Sequence, residues 1–225
     1  MFRNREDAGR RLSAQLRNRA FRRPLVLAIP RGGVAVGAVL AGELNAELDV
    51  VLSRKLRAPM QPELAIGAVS EGGELYLNMN KLAREAIGID EEYLREEKHF
   101  QLAEIARRLA LFRQVRPRAD VLGRSVIVTD DGIATGSTMI AALQLLRAQS
   151  PHELVVAIPV ASPRILARVR SLCDTVVCLH APLDFYSIGQ FYEDFSQIDD
   201  EKVVTLLREH YTEAPSNGHL LGSSV

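Results

Sequence analysis

Five short apolar runs, each bounded by turn residues, constrain this chain more than any other feature: Leu25 to Ile29, Leu48 to Leu52, Ser125 to Thr129, Leu154 to Val160 and Thr175 to Leu179. Most are continuous rather than alternating, the pattern of strands covered on both faces, and helical segments lie between several of them. A parallel sheet with right-handed crossovers follows, and the fold class is α/β. Ser162-Pro163 supplies an N-cap and a first-turn proline for a helix over 162–172, with Ile165, Leu166, Val169 and Leu172 as its buried stripe. Met139, Leu143 and Leu146 mark a second helix starting just behind the strand that ends at Thr129. Between the second and third runs the pattern breaks into Ala65 to Val69, a turn-like Ser70-Glu71-Gly72-Gly73 and a short strand at Leu75 to Asn78. From the N-cap Asp90 to Arg113 a long charged helix carries Leu94, Leu102, Ile105, Leu109 and Phe112 on one side. Its polar face mixes both signs, so it reads as a packing or subunit-contact helix, which leaves a homo-oligomer open.

At 225 residues, 47% hydrophobic and 25% charged, the chain suits one folded domain and excludes a largely disordered one. Lys plus Arg and Asp plus Glu both number 28, so no global field draws in nucleic acid or an anionic membrane, and any anionic ligand has to be caught locally. The charged start, Met1 to Asp7, does not suit a secretory signal, and no run reaches the roughly 18 apolar residues of a membrane span; the cytoplasm is the expected location. Cys173 and Cys178 read as buried thiols rather than a zinc or redox pair. The five histidines show no ligand spacing, so no protein metal ligand is assigned, and no G-x-S-x-G elbow supports a serine hydrolase.

The most informative segment is Val126-Ile127-Val128-Thr129-Asp130-Asp131-Gly132-Ile133-Ala134-Thr135-Gly136-Ser137-Thr138. It joins a buried strand, two acids, a small-residue turn and a helix start. Unpaired N–H groups at such a start accept a phosphate monoester, Thr135, Ser137 and Thr138 add hydroxyls, and Gly136 lets the oxygens approach. Gly132 to Gly136 is one residue short of a Walker A spacing and no lysine follows; the G-x-G-x-x-G fingerprint is absent too. Two carboxylates would repel a polyphosphate but accept hydrogen bonds from the vicinal hydroxyls of a ribose 5-phosphate.

On these residues the sequence resembles the type I phosphoribosyltransferases, whose pattern is a hydrophobic strand, two acids, two mostly apolar residues and a Thr-Gly-x-Thr turn. Gly132 departs from it, standing where a larger apolar residue is usual. The resemblance implies a central, mostly parallel sheet flanked by helices with a small hood. The chain reads as a single domain over 1–212, with a helical insertion at about 79–117, a hood segment at about 181–198 as the resemblance implies, and a flexible tail at 213–225. By the same resemblance Asp130 and Asp131 hold the ribose hydroxyls, and Ala134, Thr135, Gly136, Ser137 and Thr138 the 5-phosphate.

The family's pyrophosphate loop corresponds to Ser53-Arg54-Lys55-Leu56-Arg57, with Ser53 as a substrate contact and Arg54 and Lys55 as cations for the leaving group. Arg31, Gly32 and Gly33, behind the first strand, form a turn that can face the pyrophosphate. Ser70 to Gly73 lies where the family often has a mobile lid. Five of the twelve Phe and Tyr residues fall in 183–195, as a base-stacking hood or a satellite core. The implied activity is transfer of a phosphoribosyl group from phosphoribosyl pyrophosphate to an unidentified nitrogenous base, with Mg²⁺ arriving on the substrate. The alternative is a non-catalytic sensor of the same ligand.

Overall fold

The computed structural model describes residues 1–59, 61–77, 79, 82, 84 and 88–211, so the tail expected at 213–225 lies outside the described residues. All five apolar runs enter one parallel sheet: β1 (Leu25–Ala28), β2 (Glu47–Val50), β6 (Ser125–Thr129), β7 (Glu153–Val160) and β8 (Thr175–His180), in the order β2-β1-β6-β7-β8. Three further strands, β3 (Ser53–Ala58), β4 (Gln61–Ser70) and β5 (Leu75–Leu77), form a separate antiparallel sheet.

Side chains alternate between two cores, which explains why the runs are apolar throughout. Val26, Ala28, Leu48, Ile127 and Val155 face one core, completed by helices α1 (Arg5–Leu16), α2 (Gly32–Leu44), α3 (Glu91–Phe112) and α6 (Asp200–Glu209). Leu25, Leu27, Val126, Val128 and Leu154 face the other, completed by α4 (Ser137–Ala148) and α5 (Pro163–Arg170).

The helix boundaries follow from local chemistry. Asp90 caps α3 by accepting from the Tyr93 N–H at 2.8 Å. Proline opens α5, but the Ser162 hydroxyl does not cap it, and the helix ends at Arg170, two residues before the expected end. Helices α1 and α6 go beyond the sequence reading. Asn4 caps the first through the Asp7 N–H at 2.9 Å, and Asp199 the last through the Lys202 N–H at 2.7 Å.

One expectation is corrected. Ser53 to Arg57 is not a loop: Leu56 and Ala58 are buried on one face of β3, which pairs antiparallel with β4 in a regular register up to Leu56. Ser70 to Gly73, the segment expected at the lid position, is a tight turn in which the Gly73 N–H bonds the Ser70 carbonyl at 2.9 Å. Ser70 is fully buried, and Glu71 accepts from the Leu52 N–H at 3.1 Å while pairing with Arg118 at 3.3 Å.

Candidate active site

Chain order reverses between β1 and β6. From β1 the chain crosses to β2 on one side, whereas β6, β7 and β8 run out on the other, and such a switch point opens a crevice beyond the carboxyl ends of the strands. Both adjacent strands end in register there, Ala28 beside Thr129. The turn after β1, Arg31-Gly32-Gly33, therefore meets the acids after β6. A Cβ on Gly32 would overlap the Asp131 carboxylate, so only glycine permits this approach. Arg31, joined to Pro30 by a cis peptide, precedes α2, and its half-buried guanidinium has no ion-pair partner among the described residues.

The phosphate turn has the expected form. Gly136 adopts φ +76 at the N-cap of α4, and a Cβ there would overlap Ile165. The first hydrogen bond of α4 runs from the Ile140 N–H to the Gly136 carbonyl at 2.9 Å, so the N–H groups of Ser137, Thr138 and Met139 stay unpaired. The hydroxyls of Thr135, Ser137 and Thr138 also have no partner among the described residues, and Ala134 and Thr135 are exposed. Ser53 joins this group, its hydroxyl donating to the Thr138 carbonyl at 2.8 Å.

The acids carry a partner that sequence reasoning missed. Arg5, in the first turn of α1, donates from Nε to Asp131 Oδ2 at 2.8 Å, with both side chains about nine-tenths buried. It also donates to the Ser196 carbonyl at 2.8 Å and stacks on Phe195 at 3.9 Å, so one guanidinium ties the N-terminal helix and the 181–198 segment to the acid pair. Asp130 Oδ1 accepts the Asp131 N–H at 2.8 Å. Burial, and then the charge of Asp131, push the Asp130 carboxyl well above the usual carboxylate range, with Arg5 opposing.

The cations of β3 diverge. Arg54 donates from Nε to Gln101 of α3 at 2.6 Å, and its guanidinium is held below the usual arginine range by burial and by Arg108. Lys55 points to the opposite face of the strand, the face of Ser53, and is exposed. The structure thus brings Arg31, Gly32 and Gly33 to the acids and Ser53 to the phosphate turn, while Arg54 turns away from Ser53 toward α3.

The aromatic segment is largely a satellite core. Phe2 and Tyr192 are buried with Ala8 and Val160, and Phe185, Ile188 and Phe191 pack against them. The Tyr192 hydroxyl donates to the Asp131 carbonyl at 2.6 Å, and burial raises its pKa far out of reach, so it stays a donor. Tyr186 is exposed. Among the described residues no group of three His, Cys, Asp or Glu could hold a metal ion. Asp130 and Asp131 would be the carboxylates to meet a magnesium ion that took most of its oxygens from a substrate and water.

The Phosphoribosyl transferase domain family model matches residues 2–196. Two Mycobacterium tuberculosis proteins named "Putative phosphoribosyl transferase", MT0597 and Rv0571c, are each 41% identical over 207 residues, 92% of this chain. The match covers 46% of those proteins, so the chain spans about half the length of the curated relatives it matches. Among solved structures, TT1426 from Thermus thermophilus is 42% identical with a TM-score of 0.79, covering 94% of this chain and 99% of that one.

Proposed function

The chain belongs to the phosphoribosyl transferase domain family, and from that premise we propose that it transfers the phosphoribosyl group of phosphoribosyl pyrophosphate to a nitrogenous base. The observation that carries this reading is the meeting of two kinds of subsite at one switch point. A turn rich in unpaired N–H and hydroxyl groups, chemistry suited to a phosphate, lies directly after a carboxylate pair, chemistry suited to hydroxyls.

In this reading the turn of Ala134, Thr135, Gly136, Ser137 and Thr138 binds the 5-phosphate. Asp130 and Asp131 accept hydrogen bonds from the two ribose hydroxyls, each worth about 1.5 to 3 kcal/mol when the acceptor is charged. Arg5 fixes Asp131 and partly neutralises the pair, so that two adjacent buried acids can work side by side. Gly32 and Gly33 let backbone N–H groups approach the pyrophosphate, and Arg31, with Lys55 from β3, opposes the charge it gains as the C1 bond breaks. Arg54, engaged by Gln101, holds β3 to α3 instead. Magnesium bound to the substrate supplies further neutralisation of the leaving group. In the 181–198 segment the exposed Tyr186 is left to meet the base while the other aromatics pack the segment down, and the long helix serves as packing for the smaller sheet.

The test is pyrophosphate release from phosphoribosyl pyrophosphate and Mg²⁺ across a panel of bases. Turnover with one base, lost in Asp130→Asn/Asp131→Asn, is the expected result. Binding without release for every base would make the protein a sensor of that ligand, and neither binding nor release would end the proposal.

A further inference from the structure

Helix α5 buries Ile165, Leu166 and Val169 and turns Arg164 and Arg168, one turn apart, to the exposed side. This is an unfavourable placement. Arg164 sits in the first turn, where the positive end of the helix dipole repels a cation and no acid compensates, and like charges four residues apart repel each other. Among the described residues neither is in an ion pair, whereas most of the arginines around the acids and the sheet ends are. The Arg168 guanidinium instead lies over the Tyr76 ring, 5.1 Å from its centre.

Both arginines line a cavity of about 490 Å³ together with Tyr76 and with Ala134, Thr135 and Ser137 of the phosphate turn. Its size is that of a small-molecule pocket. Ser137, which lines the cavity, is 2% exposed, and its hydroxyl has no partner among the described residues. A concave, cationic wall with two arginines and, among the described residues, no anion matches the oxygens of a phosphoryl group.

We propose that Arg164 and Arg168 form a second phosphoryl subsite, adjoining the 5-phosphate cradle and occupied at the same time as it. It rests on the reading of the turn as that cradle. The group it takes is either part of the same ligand or a free phosphate, and the arms of the test separate the two.

Inorganic phosphate is titrated by calorimetry into wild-type protein and Arg164→Gln/Arg168→Gln, each with and without saturating ribose 5-phosphate. Wild type filled with ribose 5-phosphate is expected to take one further phosphate. The double variant binds that phosphate at least about tenfold more weakly, with ribose 5-phosphate affinity nearly unchanged. Ribose 1,5-bisphosphate and ribose 5-diphosphate then report the source: competition by the diphosphate alone assigns the group to the same ligand, and no competition assigns it to free phosphate. If filled wild type takes no phosphate, or the variant takes as much as wild type, the subsite does not exist. A single phosphate weakened in the variant would put both arginines on the turn's own phosphate and equally overturn it. If ribose 5-phosphate binds neither protein, the cradle reading fails, while wild type against variant in phosphate alone still decides whether the arginines bind an anion.

Discussion

Arg5 and Asp131, 126 residues apart in the chain, form a buried ion pair of 2.8 Å at the centre of the candidate site. Removing one member of such a pair leaves the other charged and desolvated, at roughly 3 to 5 kcal/mol. Arg5→Ala is expected to lower the melting temperature by on the order of 10 °C, read by thermal denaturation. Arg5→Lys restores the charge but not the fork to Ser196, and should recover only part of the loss.

Gly132 departs from the family pattern because of its neighbour. A Cβ there would lie 2.7 Å from Cγ2 of Ile188, which packs over the turn. Gly132→Ala should therefore destabilise the protein by about 1 to 3 kcal/mol, the usual range for overpacking. Adding Ile188→Ala should recover part of that in chemical denaturation. Strictly additive effects would show that Ile188 does not set the requirement.

The raised Asp130 carboxyl gives a pH signature. Because its folded pKa lies above the unfolded value near 3.9, the native state holds the proton more tightly. Its contribution to stability is thus present below the unfolded value and is lost as pH rises toward the folded value. The ribose hydroxyls need an acceptor, so affinity for ribose 5-phosphate should rise as pH climbs through that same window. Asp130→Asn should flatten this limb and leave only the titration of the ligand's own phosphate, as followed by calorimetry across pH.

Burial raises the Cys173 thiol to about 11 and pushes Cys178 up as well. At pH 7 only about one Cys173 in ten thousand is a thiolate, so a disulfide reagent should label it slowly in native protein and rapidly after unfolding. Rapid native labelling would contradict the raised pKa of this half-buried thiol.

Much of this arrangement is legible in the sequence. Strands covered on both faces advertise themselves as continuous apolar runs, and all five such runs enter the parallel sheet. The phosphate turn is legible because Gly136 and its neighbours must be small and hydroxylated in sequence. Long-range pairing is not: nothing near Arg5 indicates Asp131, although Asn4 as a cap and Leu12 and Leu16 at helical spacing do signal α1. The side to which Arg54 points stays hidden as long as Ser53 to Arg57 reads as a loop. The alternation of Leu56 and Ala58 with Lys55 and Arg57 carries the strand signal and puts Arg54 on the inner face, toward Gln101.

The most direct measurement is a calorimetric titration of the folded protein with phosphoribosyl pyrophosphate and Mg²⁺, alongside Asp130→Asn/Asp131→Asn. One ligand per chain in wild type, weakened at least about a hundredfold in the double variant, is the predicted result. No heat in wild type, or equal affinity in both, would contradict the account.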